Sequence, residues 1–198
     1  MAFTQEERTV IRQKLLETAR HCAATMGVRK TTVDQLAEAA DISKGAFYQF
    51  YVSKECIFLE VLEQLHTEIY GAAELILSAA DSLSPADRLS KAVLAACSAM
   101  EETGMMDFVE RDVPYILRKV PDEILHGRYH SDAVHIRKLL EQTGFIPAGG
   151  LDLATATVQG LLLTVSHRDS IGEPYSQVLE ILVYGACEKL FPEQTARF

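Results

Sequence analysis

A chain of 198 residues with 48% hydrophobic content holds enough apolar material for one medium domain or two small ones. No apolar run approaches the roughly 18 residues of a membrane span, and the polar, acidic start Met-Ala-Phe-Thr-Gln-Glu-Glu-Arg lacks the regions of a signal peptide. A cytoplasmic protein without a membrane partner is therefore expected. The net charge of −9 argues against nucleic acid until its distribution is read: residues 1–54 carry eight Lys/Arg against six Asp/Glu, and the remainder eleven against twenty-two, giving +2 and −11.

In chain order, Thr4 with Glu7 is a capping box that opens a first helix, and Ile11, Leu15, Ala19, Cys22 and Met26 recur at spacings of four, four, three and four until Gly27 ends it. Thr32 with Gln35 repeats the capping box. Val33, Leu36, Ala37 and Ala40 then stripe one narrow face, leaving Asp34, Gln35 and Glu38 outside. Asp41 falls at the bend, where Asp tolerates left-handed geometry better than most residues. Ser43 caps the next helix. Within it Ala46, Phe47 and Phe50 face inward, while Lys44, Gly45, Tyr48 and Gln49 face out. Two short helices joined by a tight turn over about 31–50 predict a helix-turn-helix that reads double-stranded DNA.

The outward set suits that task chemically. Lys44 brings a cation to the start of the helix, where free N–H groups already favour a phosphate, and Gly45 permits close approach of backbone or a thymine methyl. Tyr48 offers a hydroxyl for phosphate, and Gln49 can donate to and accept from a base edge. Lys54 adds a cation past the helix end, with helix capping as its alternative use. Thr32, Ser43, Lys44, Gly45, Tyr48, Gln49 and Lys54 are the candidate DNA-binding residues.

The run Ile42-Ser43-Lys44-Gly45-Ala46-Phe47-Tyr48-Gln49-Phe50-Tyr51-Val52-Ser53-Lys54-Glu55 resembles the recognition-helix signature of the TetR family of bacterial transcriptional regulators. A long first helix, a Gly, a Thr-Thr pair and an Ala-Glu-Ala-Ala-containing second helix extend the resemblance over roughly residues 5 to 60. It implies a ligand-binding, dimerising helical body and a homodimer presenting two heads to a palindromic operator. Three positions depart from the family pattern: Asp41 stands for a usual Gly, Phe50 for a His or Tyr that touches phosphate, and Val52 for a frequent Pro or Lys.

Beyond the head, a helix from Lys54 to about Ala80 carries Ile57, Phe58, Val61, Leu62, Leu65 and Ile69. Breaks near Pro85, Gly104, Pro114, Pro121, Gly144 to Gly150 and Gly172 to Pro174 leave helices at about 85–102, 105–118, 122–143, 151–168 and 174–191. Strand alternation is absent. The expected fold is all-α with about nine helices: a DNA-binding domain over 1–53, then an effector-binding and dimerisation domain over 54–198. Segments 151–168 and 174–191 carry more apolar surface than one monomer needs, and they match the family's dimerising pair.

For an unknown small-molecule effector, Met100, Met105, Phe108, Glu110, Tyr115 and Tyr129 combine adaptable sulfur and aromatic groups with a carboxylate. His126 and His130, four apart, offer an alternative reading as a metal-dependent sensor or enzyme. A third assured ligand is missing, and no Gly-x-Ser-x-Gly, His-Glu-x-x-His or paired catalytic acid accompanies them, so neither metal, cofactor nor catalysis is expected. The four cysteines lack a Cys-x-x-Cys pair and read as buried free thiols.

Overall fold

The computed structural model describes residues 3–80 and 82–192. Among these there are eleven α-helices and no strand, in agreement with the all-α expectation. No helix among them is long and apolar enough to cross a membrane.

Two compact units form. The first joins residues 1–65 to 104–129, and the second joins 66–103 to 130–198, an outline different from the expected division at residue 53. The reason is tertiary. Residues 104–129 lie far from the head in sequence, yet their apolar groups complete its core.

In the first unit, α1 (Gln5–Thr25) opens on the Thr4/Glu7 capping box and buries Ile11, Leu15, Ala19 and Cys22. Helices α2 (Val33–Ala39) and α3 (Lys44–Phe47) pack in sequence, with Leu36, Ala37, Ala40 and Phe47 buried. The predicted second helix of the motif is shorter than its pattern: regular helix ends at Phe47, and residues 48–50 continue as turn. Helix α4 (Lys54–Leu77) supplies Ile57, Phe58, Val61 and Leu62 to this core. Residues 108–112 form a π-turn followed by α6 (Val113–Lys119), α5 (Pro85–Thr103) belonging to the second unit. Pro114 causes no break, because it occupies the first turn, where its missing N–H costs nothing. Phe108 packs against Phe58, ring centroids 6.4 Å apart.

The segment expected as one helix over 122–143 is two, α7 (Asp122–Arg128) and α8 (Asp132–Thr143), with Tyr129 in extended conformation between them. In the second unit, the later part of α4 joins α5 (Pro85–Thr103), α8, α9 (Gly150–Leu163), the short α10 (Arg168–Ile171) and α11 (Tyr175–Leu190). Helix α5 packs on α11, and α8 packs on α9. Leu89, Ala92, Val93, Ala96 and Cys97 of α5 and Leu179, Val183 and Cys187 of α11 are all buried. All four cysteines are buried and free, and burial pushes the Cys97 thiol up to about 12.

Candidate nucleic-acid interface and effector region

Local side-chain caps start both short helices of the head. Thr32 Oγ1 accepts from the Gln35 N–H at 3.2 Å, and the Gln35 side chain accepts from the Thr32 N–H at 2.8 Å. Ser43 Oγ accepts from the Ala46 N–H at 3.1 Å, so both helices of the motif start on side-chain caps. Between them Asp41 adopts φ 57, and among the described residues no other non-glycine residue has positive φ. Its carboxylate meets Lys14 Nζ of α1 at 3.0 Å.

Phe47 is fully buried beneath this turn, while Lys44, Gly45, Tyr48 and Gln49 are exposed. Half of the Tyr48 surface is open to solvent. Its ring meets Phe47 edge-on, centroids 5.5 Å apart, so the exposed phenol is held from below by a rigid core residue. The Lys44 ammonium pairs with Asp34 at 2.8 Å, and this partner raises its pKa while leaving the group at the surface. Phe50 takes another role in place of a phosphate contact: Arg8 stacks on its ring at 4.7 Å and donates to the Gln49 carbonyl at 3.0 Å. Arg8 is thereby fixed beside the exposed edge. Nothing in sequence spacing pairs residue 8 with residue 50.

Lys54 is placed differently from the expected phosphate contact. Its ammonium donates to the carbonyls of Thr31 at 2.6 Å and Val28 at 2.8 Å, with Arg29 at 3.5 Å. It clamps the loop between α1 and α2, and three carbonyl acceptors leave no N–H directed at a groove. The acceptors belong to the loop and not to a helix end, so Lys54 is a loop clamp and not the helix cap of the alternative reading.

The same loop carries a second tie. Val28 is fully buried, and its N–H donates to the carboxylate of buried Asp112 at 2.7 Å. Gly27 beside it has φ 81, and a Cβ there would lie 2.9 Å from Asp112 Oδ2. Glycine is required twice over, for its backbone angle and for the space the carboxylate uses. Tyr115 of α6 reinforces the attachment by donating to Glu55 at 3.3 Å beneath the Arg29 guanidinium, 5.1 Å from the ring. Burial raises the Tyr115 pKa, and the Glu55 charge raises it further, so the phenol remains a donor.

The residues expected to meet an effector fall in both units, most of them in the first. Met105 and Phe108 are fully buried in the core shared with the head, Tyr115 holds Glu55, Glu110 is exposed, and Tyr129 ends α7. Met100 belongs to the second unit. An apolar cavity of that unit is lined by Tyr70, Ala73, Ala92, Ala96, Leu139 and Val158, among others, and holds about 30 Å³. The signal for it was the run of small residues on α5. Composition pointed to methionines, of which Met105 fills core and Met100 is half-buried.

The helical basis for a His126/His130 metal site is also absent. Helix α7 ends at Arg128, so the two histidines do not share a helix face, and His126 Nδ1 lies 2.7 Å from the Asp122 carbonyl. Among the described residues no group of three or more His, Cys, Asp or Glu is placed to hold a metal ion.

On α9 and α11 the inward residues are Ala154, Val158, Leu161, Leu162, Leu179 and Val183. A second apolar row faces out: Leu153, Ala156, Gly160 and Leu163 on α9, and Ile181, Leu182 and Gly185 on α11. Ile181 is 73% exposed and Leu163 62%. A Cβ at Gly160 or Gly185 would meet nothing within 4 Å. Because these helices are apolar nearly all round, periodicity alone could not separate the two faces.

A capped three-helix head with an exposed Lys-Gly-x-x-Tyr-Gln edge, followed by an all-helical body, defines a helix-turn-helix regulator fold. Residues 15–61 match the model of bacterial regulatory proteins of the tetR family. Over those residues the head is similar to that of the TetR family. It is 30% identical over 110 residues to the HTH-type transcriptional repressor KstR2 of Mycolicibacterium smegmatis, an overlap of 56% of this chain and 53% of that protein. Over 58 residues it is 40% identical to the probable acrEF/envCD operon repressor of Escherichia coli, covering 29% of this chain and 26% of the other. The chain thus spans about half the length, or less, of these curated relatives. The crystal structure of NalD, the secondary repressor of the MexAB-OprM multidrug efflux pump in Pseudomonas aeruginosa, matches with a TM-score of 0.65 at 20% identity. That match covers 96% of this chain and 100% of NalD, and at this identity it shows the fold alone.

Proposed function

We propose that this protein is a dimeric transcriptional repressor that binds a palindromic operator and is released from it by a small molecule. The observation that carries the reading is the exposed edge of Lys44, Gly45, Tyr48 and Gln49 on a head whose opposite side, at Phe47 and Leu36, is fully buried. A rigid scaffold with an exposed phenol, amide and cation has the chemistry of backbone positioning combined with base readout. Thr32 and Ser43 serve as caps that fix the two helices, with their backbone facing the duplex. Residues 1–53 carry the DNA contacts, and 54–198 carry effector binding and dimerisation.

The outward rows of α9 and α11 support a dimer through about 151–168 and 174–191. Gly160 and Gly185 let two copies approach closely. The apolar cavity of the second unit is a candidate place for an effector beside the expected Met100, Met105, Phe108, Glu110, Tyr115 and Tyr129. The Asp112 and Tyr115 ties support control of the head, since a movement of residues 108–119 would act directly on the α1–α2 loop. Release requires an effector that prefers the conformation whose heads do not match the operator.

The test is selection of an operator from random duplexes, followed by binding of variants. Tyr48→Ala is expected to weaken binding to every sequence, and Gln49→Ala to relax preference at one base position by about 1–3 kcal/mol. Equal operator affinity for wild type and a Lys44→Ala/Tyr48→Ala variant refutes the assignment of the reading edge.

A further inference from the structure

The cations around the reading edge are not equivalent. Lys44 pairs with Asp34 at 2.8 Å, and Lys14 pairs with Asp41 at 3.0 Å. Arg12 grips Glu60 through two N–H groups, at 2.8 and 3.3 Å, and Tyr51 donates to the same carboxylate at 3.2 Å. Each of these charges is offset by a carboxylate, and Lys54 is spent on loop carbonyls. Arg8 differs. Among the described residues its partners are the Gln49 carbonyl at 3.0 Å and the Phe50 ring at 4.7 Å, and no carboxylate pairs with it. A carbonyl and a ring face orient a guanidinium without cancelling its charge.

The seat beneath Arg8 is itself held, since Phe3 packs against Phe50 with ring centroids 5.9 Å apart. An open groove of about 420 Å³ runs along one face of α1, lined by Gln5, Arg8, Thr9, Arg12, Gln13 and Phe50, among others, with no Asp or Glu in its wall. The neighbouring carboxylates are occupied elsewhere. Glu7 accepts from the Thr4 N–H at 2.7 Å at the helix start, and Glu17 accepts from Gln13 at 2.9 Å. With Glu60 offsetting Arg12, the groove keeps the positive charge of Arg8. Stacking occupies a face of the guanidinium and one Nη2 hydrogen goes to Gln49, so in-plane N–H groups remain in the fork geometry that suits phosphate oxygens.

The bond to Gln49 selects the anion. The carbonyl that Arg8 holds belongs to a residue of the exposed reading edge, so a duplex engaged by Tyr48 and Gln49 brings its own sugar-phosphate backbone to this position. We infer that Arg8 is a phosphate contact of the operator complex, seated on Phe50 and directed at a phosphodiester flanking the base assigned to Gln49. This rests on the reading edge proposed above and extends it to α1. A phenyl ring has no group that hydrogen-bonds phosphate; Phe50 contributes by holding the side chain that has.

The experiment measures operator affinity of the full chain against salt concentration, by fluorescence anisotropy, for wild type and three variants. Arg8→Gln is expected to weaken binding about tenfold or more. It should also flatten the log-log salt slope by about one for each head engaged, with base preference unchanged. Arg8→Lys restores the slope, and Phe50→Leu keeps the slope while losing affinity several-fold. A single methylphosphonate moved along the half-site locates the partner: at one position it weakens wild type and leaves Arg8→Gln indifferent. A purely structural Arg8 would shift the melting temperature and leave the slope alone. An unchanged slope in Arg8→Gln, which an unrelated anion in the groove would also give, overturns the contact. So do a slope that Arg8→Lys fails to restore and methylphosphonate effects equal in both proteins at every position. Equal affinity of Phe50→Leu and wild type overturns the seat. The Lys44→Ala/Tyr48→Ala variant keeps the two readings apart. If it loses the operator and Arg8→Gln does not, the Arg8 contact fails and the reading edge stands; the reverse result removes the edge and leaves Arg8 at the backbone.

Discussion

The tie between Asp112 and the α1–α2 loop makes a quantitative prediction, because two residues 85 positions apart use the same few cubic ångströms. Asp112→Ala removes the acceptor of the buried Val28 N–H. A charge-assisted bond to a buried donor is worth about 1.5–3 kcal/mol, and the orphaned donor places the cost toward the upper end. Gly27→Ala introduces a different cost. A residue with a Cβ at φ 81 carries about 1–2 kcal/mol of left-handed strain, and its Cβ stands 2.9 Å from Asp112 Oδ2. The carboxylate must then swing away and weaken its own bond, for a total of about 2–4 kcal/mol. In the double variant the carboxylate is absent, so only the backbone strain is added to the lost bond. Simple addition predicts about 4–7 kcal/mol, and the double variant is expected at about 3–5 kcal/mol, a coupling of about 1–2 kcal/mol. Urea unfolding at one fixed protein concentration, with unchanged m-values, measures each corner of the cycle. Additivity within about 0.5 kcal/mol refutes the shared-space argument.

Three further outcomes follow from the same structure. Lys54→Met removes a clamp on the Thr31 and Val28 carbonyls, and is expected to destabilise the protein by about 1–3 kcal/mol while leaving the salt slope of DNA binding unchanged. A slope shallower by about one would return Lys54 to the phosphate contacts. Burial lowers the His66 pKa below its unfolded value near 6.5, with His135 lowering it further and Asp132 opposing, so the unfolded chain binds the extra proton. The stability this contributes is complete above about pH 6.5 and is lost as pH falls through the folded value; melting temperatures from pH 7.5 to 5.5 should decline less steeply for His66→Gln, and parallel curves contradict the linkage. Ile181→Glu places a charge on the exposed apolar row of α11 and is expected to give folded monomers by sedimentation, with operator affinity reduced at least tenfold; an unchanged dimer refutes that face.

The head was legible because its signals are local. Thr4 with Glu7, Thr32 with Gln35, and Ser43 each satisfy donors within one turn, so spacing alone located the three helix starts. The motif residues Lys44, Gly45, Tyr48 and Gln49 occupy the exposed side that the inward Phe47 pattern assigns to them. Elements separated by tertiary competition were less legible. One helical pattern over 122–143 divides at Tyr129, where α7 finishes and Ser131 starts α8. The apolar rows of α9 and α11 named a packing pair without saying which row is buried.

By itself, then, the amino-acid order determined the helical class, the helix starts and the side of the recognition segment that faces out, since each depends on groups within about four residues of one another. Only the tertiary structure decided that Lys54 clamps a loop, that Phe50 seats Arg8, and that Met105 and Phe108 fill core while Tyr70 and His135 wall a cavity. Those roles depend on which distant side chain arrives at 3 to 6 Å, and composition is blind to that choice. Asp112 is the clearest instance: an ordinary carboxylate in sequence, it takes its meaning from a backbone N–H at residue 28 and from the missing Cβ of Gly27.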